Sequence, residues 1–109
     1  MATQKMYRIN SRMAFNLGSM ITHVWCLSYD FRDGKIKEPV ECCGRVLKSE
    51  DDCIDLIHDL EELPGWVGSL VTGKQYGWIK AITEERCMLR YAACISAGMS
   101  EDDAAYAFD

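Results

Sequence analysis

The chain has 109 residues and a mass of 12.4 kDa, a size that fits one domain. Hydrophobic residues make up 49% and charged residues 27%, which excludes a disordered chain and allows a core without disulfides or metal. The formal charge of −5 argues against a general binder of nucleic acid or anionic membrane, because phosphate recognition needs clustered positive charge. That total hides a division. Residues 1–48 hold eight bases and four acids, whereas residues 49–109 hold four bases and thirteen acids.

No apolar run reaches the length of a signal peptide or of a membrane span. The expected location is therefore the cytoplasm, with the six cysteines held as thiols. Gly18-Ser19-Met20 reads in two ways, as a join between an appended segment and a second start, or as a loop between structured segments.

Apolar residues alternate from Tyr7 to Leu17, which suggests a half-buried strand, with a short helix from Ser11 as the competitor. Asp33-Gly34 then sits between two strand-like runs and suits a two-residue type I′ turn. A hairpin over about 21–47 follows. It would pair Trp25 with Cys42 and Phe31 with Ile36, and gather Ile21, His23, Leu27 and Tyr29 on one face. Pro39 marks an edge or a bulge of its second strand.

Ser49 looks like an N-cap, followed by Glu50, Asp51 and Asp52 in a first helical turn. Cys53, Leu56, Ile57, Leu60 and Leu63 form one apolar stripe, and Pro64-Gly65 stops the helix. Residues 66–82 are ambiguous: Trp66-Val67 and Leu70-Val71 suit a short helix or a strand, Thr72-Gly73-Lys74 reads as a turn, and Tyr76 to Ile82 as a possible strand. Thr83 is expected to cap a helix over 84–97 that Gly98 ends, and Ser100 to cap a last helix over 101–108. The expected fold class is α+β: an antiparallel sheet built on the hairpin and packed against two or three helices.

Several chemistries can be weighed from residue type and spacing. Metal binding would draw on Cys26, Cys42 and Cys43, with Cys26 and Cys43 on one hairpin face, but no Cys-x-x-Cys pair is present. Buried cysteines acting as small hydrophobes are the plainer account. His23 and His58 are the only histidines, and neither adjoins a cysteine in a catalytic pattern, so no catalytic residue and no cofactor is assigned. Helices 84–97 and 101–108 outline a helix-turn-helix, yet Glu101, Asp102 and Asp103 would repel phosphate from the second helix. Tyr106 and Phe108 are instead expected to pack on the core.

Two features point to a partner. Residues 50–62 hold Glu50, Asp51, Asp52, Asp55, Asp59, Glu61 and Glu62 with no Lys or Arg, so the helix forgoes favourable i,i+4 pairs. A solubilising face is the bland account; docking to a basic protein surface is the functional one. Trp66 and Trp78, each preceded by glycine, are the second feature, as interface anchors or as buried loop anchors.

The leading expectation is a non-catalytic protein-interaction module, an inhibitor or adaptor of the kind found among phage and mobile-element accessory proteins. It would present the 50–62 face to a protein with a basic surface, with nucleic acid and membrane disfavoured. A Cys-based metal or redox protein is the second expectation. Single-stranded nucleic-acid binding by Arg8, Arg12, Lys35, Lys37 and Arg45 is the third.

Overall fold

A computed structural model describes residues 4–106, with Tyr106 described by its backbone alone. Helices take about 62% and strands about 12% of it, so helices set the architecture and short strand pairs trim it. The class is α+β, with helices packed against a hairpin.

The chain opens with strand β1, Met6–Arg8. Asn10 then accepts a hydrogen bond from the Met13 amide at 2.9 Å and so caps helix α1, Ser11–Arg32. Twenty-two residues give α1 a length of about 33 Å. Met13, Leu17, Met20, Val24 and Ser28 are buried along it at three- and four-residue spacing. The helix competitor therefore prevails over the strand expected for 7–17, and the same helix replaces the first strand of the expected 21–47 hairpin. Asp33-Gly34 ends it. Gly34, at φ 74°, donates to the Phe31 carbonyl and Lys35 donates to that of Asp30, a Schellman closure rather than a hairpin turn. Gly18, Ser19 and Met20 lie within α1, with Gly18 exposed and Met20 0% exposed, so this stretch is helix rather than a loop.

The hairpin that does form is smaller. Strands β2, Val40–Cys42, and β3, Arg45–Leu47, pair antiparallel with Val40 opposite Leu47 and Cys42 opposite Arg45. Only Cys43 and Gly44 connect them, both at positive φ (55° and 76°), as a type I′ turn requires. Helix α2, Glu50–Glu61, follows its Ser49 cap as the sequence indicates. Its stripe of Cys53, Leu56, Ile57 and Leu60 is completely buried, and much of it packs on α1.

Strand β4, Leu70–Thr72, pairs antiparallel with β1, setting Tyr7 opposite Val71. Thr72 then caps helix α3, Gly73–Ser96, through a capping box completed by Gln75. At the turn expected over 72–74, Thr72 ends β4 and Gly73-Lys74 begin α3, and the strand expected at 76–82 is helix. Thr83 is no cap: it is buried in mid-helix, where its hydroxyl donates to the Ile79 carbonyl at 2.8 Å. Gly98 closes α3 as expected, and α4, Glu101–Tyr106, follows Ser100. The Tyr106 side chain and Phe108, expected on the core, lie outside the described residues.

The core sits between α1, α2 and the first half of α3, with β2–β3 and β1–β4 at its margins. Within that class, α1 is the floor on which α2 and α3 lie, while the strand pairs touch α2 and α3 from the margins. The radius of gyration is 15.6 Å, against about 13 Å for a compact chain of this length. In the far half of α3, Met88, Leu89 and Ile95 are exposed. Among the described residues, no helix is long and apolar enough to cross a membrane.

Candidate functional site

Two regions hold the residues singled out by sequence. The first is the outer face of α2. Three of its acids have local structural duties: Glu50, Asp51 and Asp52 complement the helix dipole in the first turn, and Asp52 also accepts from the Lys48 amide at 2.8 Å. Asp59 pairs with Arg45 of β3. Asp55, Glu61 and Glu62 remain. All three are exposed, and among the described residues their carboxylates make no hydrogen bond or ion pair. His58 is exposed on the same helix.

Four residues beyond Glu62, Trp66 is 69% exposed, with Val67 at 60% and Leu70 at 51%. Of the two alternatives for Trp66, the buried loop anchor is therefore excluded. Gly68 at φ 88° turns the loop, and Ser69 donates to the Trp66 carbonyl from both its amide and its hydroxyl, so the Trp66 backbone is fixed while its ring stands in solvent. Trp78 differs. It is half-buried on α3, packs against the core, and donates its indole N–H to the Cys43 carbonyl at 3.3 Å. The two tryptophans are thus separate, one an exposed anchor and one a structural prop.

The second region is the β2–β3 turn. Cys42 and Cys43 are both buried, with sulfurs 3.7 Å apart, and Cys42 also lies 3.7 Å from the Met20 sulfur. Glu85 reaches in from α3. Both of its carboxylate oxygens accept from the Cys43 amide, at 3.0 and 3.3 Å. The Cys42, Cys43 and Glu85 donor atoms all lie within 4.8 Å of one another. The Cys42 thiol is held below its usual range, chiefly because Cys43 hydrogen-bonds to it. Cys43 is pushed far up by the same bond, by burial and by the Cys42 and Glu85 charges. The shared hydrogen bond thus favours loss of the Cys42 proton over that of Cys43.

Cys26 does not join this group. It lies exposed on α1, so the expected pairing with Cys43 across one hairpin face fails together with that hairpin. Cys87 is on α3; burial raises its thiol, but hydrogen bonds from Arg12 and Arg90 bring it below its usual range. Burial lowers His23, as does the nearby Arg86 charge, while Glu85 opposes them. The basic residues of the N-terminal half form no single track. Arg8 and Arg12 stand at one end of α1, and Lys35 and Lys37 follow the other end, about 33 Å away. Arg45 is engaged by Asp59 and by the Trp78 ring.

Sequence reasoning missed Glu85 as a site residue because it lies 42 positions from Cys43, beyond any motif spacing. The hairpin turn left a usable signal, Cys43-Gly44 between Val40-Glu41-Cys42 and Arg45-Val46-Leu47. No protein-family model, curated protein or solved structure matches the chain.

Proposed function

We propose that this chain is a non-catalytic protein-interaction module, a cytoplasmic adaptor or inhibitor, that docks a basic partner on the outer face of α2 and on Trp66. The observation that supports it is an exposed aromatic side chain four residues beyond the C-cap of a helix whose exposed acids Asp55, Glu61 and Glu62 make no ion pair among the described residues. Trp66 and Val67 supply an apolar centre of the kind that dominates binding energy, and Asp55, Glu61 and Glu62 supply a charged rim that steers a basic surface into place. Glu61 and Glu62 also close α2, where the helix dipole disfavours negative charge, so neither helix stability nor a local partner accounts for them. A face of this sign repels nucleic acid and can cover a basic groove that would otherwise hold it.

The test is a triple charge reversal, Asp55→Lys, Glu61→Lys and Glu62→Lys, with Trp66→Ala as a separate variant. Asp59 is left intact because it holds Arg45. Wild-type protein should capture a basic protein from host lysate, and each variant should lose it while keeping the wild-type circular dichroism spectrum. Undiminished capture by the folded triple variant overturns the proposal.

A further inference from the structure

We propose that Cys42, Cys43 and Glu85 bind one zinc ion, with a fourth coordination position left to a water or to an outside ligand. Four observations converge on it. First, two thiolates on one tetrahedral zinc, with Zn–S bonds of about 2.3 Å, stand about 3.8 Å apart, and the Cys42 and Cys43 sulfurs stand 3.7 Å apart. Second, the carboxylate is already aimed. The Cys43 amide holds Glu85, and Trp78 holds the Cys43 carbonyl, so the outer contacts that orient metal ligands are in place.

Third, Cys43 occupies a backbone conformation that suits Asn, Asp or Gly far better. A β-branch-free thiol at φ 55° is an outlier, and such outliers persist at functional sites. Fourth, the cluster is reachable from two sides. A cavity of about 210 Å³ lies against Cys43, Trp78 and Glu85, and another of about 260 Å³ lies against Cys42, Arg45 and Glu85. Three protein donors with an accessible fourth position match the open class of zinc site rather than the closed structural class.

Binding forms two Zn–S bonds and one Zn–O bond, and releases to solvent the protons of the two thiols; no electron is transferred. Met20 is the reason to name copper as the rival. A thioether beside two thiolates suits Cu(I), whereas the carboxylate and the tetrahedral sulfur spacing suit zinc. The site lies at the β2–β3 turn and shares no ligand with the outer face of α2, so it stands or falls apart from the docking proposal.

The full chain, purified under reducing conditions, is titrated with cobalt(II) as the optical probe and then with zinc. One equivalent of cobalt should give thiolate-to-cobalt charge-transfer absorption that one equivalent of zinc abolishes. Cys43→Asn removes a ligand yet suits the turn, so it folds and should lose the band. Glu85→Gln should weaken zinc by about tenfold or more, as changes around a metal commonly do. Cys26→Ser and the α2 triple reversal should leave the band unchanged. Absence of the band in wild-type protein, its survival in Cys43→Asn, or preference for Cu(I) with dependence on Met20 overturns the assignment.

Discussion

The outer face of α2 and the Cys43–Gly44 turn are neighbours, tied by the Arg45–Asp59 ion pair, yet they hold their unusual residues in opposite ways. On α2 the acids stand in water, and the helix beneath them is secured by a fully buried stripe. In the turn, two thiols are buried beside a half-buried carboxylate from α3, and Cys43 sits on a backbone that disfavours it. Charges on the first surface can change with little effect on the fold. Groups in the second are more tightly constrained, because each fills space or satisfies a neighbour, and a replacement must suit the turn as well. A partner-binding role suits the tolerant face, and ligand chemistry suits the constrained turn.

The largest test of this division lies within α2, between adjacent residues. Leu56→Ala removes a completely buried side chain and should cost about 2–5 kcal/mol in denaturant unfolding. Asp55→Ala, one position away and exposed, should change stability by no more than about 0.5 kcal/mol. A comparable loss for both would show that the acidic face is structural after all.

Cys53 lies on the boundary between the two regions and gives the next largest effect. It is 0% exposed on α2, and burial, with the charges of Asp52, Cys42 and Glu50, pushes its thiol from 9.0 up to about 11. The unfolded chain thus releases this proton first. Stability is intact below pH 9 and falls as the pH rises toward 11, by on the order of 2–3 kcal/mol. Urea unfolding at pH 8 and pH 11 should show that loss in wild type, and a smaller loss in Cys53→Ala. Equal pH dependence in the two would place the titrating group elsewhere.

A smaller effect of opposite sign belongs to the turn. In metal-free protein, Cys43→Asn relieves a cysteine at positive φ, and the new amide can donate to Glu85. Thermal unfolding should show a gain of about 0.5–1 kcal/mol over wild type. A loss instead would mean that thiol packing outweighs the backbone cost.

The same contrast governs how much could be read from the sequence. Helix α2 was legible because cap, first-turn acids, apolar stripe and Pro-Gly stop all agree, and the structure follows each of them. Helix α1 was not, because Ile21, His23, Trp25, Leu27, Tyr29 and Phe31 alternate with mostly polar residues and imitate a strand. Asp33-Gly34 serves a hairpin turn and a Schellman closure equally well, so the apparent second signal was not independent of the first. In α3, Gly73 and Gly77 masked the Thr72–Gln75 capping box. At the site, the acidic face could be found from composition alone. The thiol cluster could be found only in part, since Cys42 and Cys43 are adjacent in sequence while Glu85 arrives through tertiary packing of α3.

The last predicted effect on the fold is the most discriminating. Reversing Asp55, Glu61 and Glu62 to Lys should not destabilise the protein; it should stabilise it slightly. Glu61 is the last residue of α2 and Glu62 its C-cap, so both lie against the negative end of the dipole, where a cation contributes about 0.3–1 kcal/mol. Asp55 stands four residues from both Asp51 and Asp59, and removing like charges at that spacing contributes a few tenths more. Added salt should shrink the gain, because these groups are exposed and screened. If the folded variant is equally or more stable yet no longer captures a partner, the acids are retained for binding at the expense of the helix. A marked loss of stability would instead make the acidic face part of the scaffold, and the distinction between tolerant surface and constrained turn would collapse.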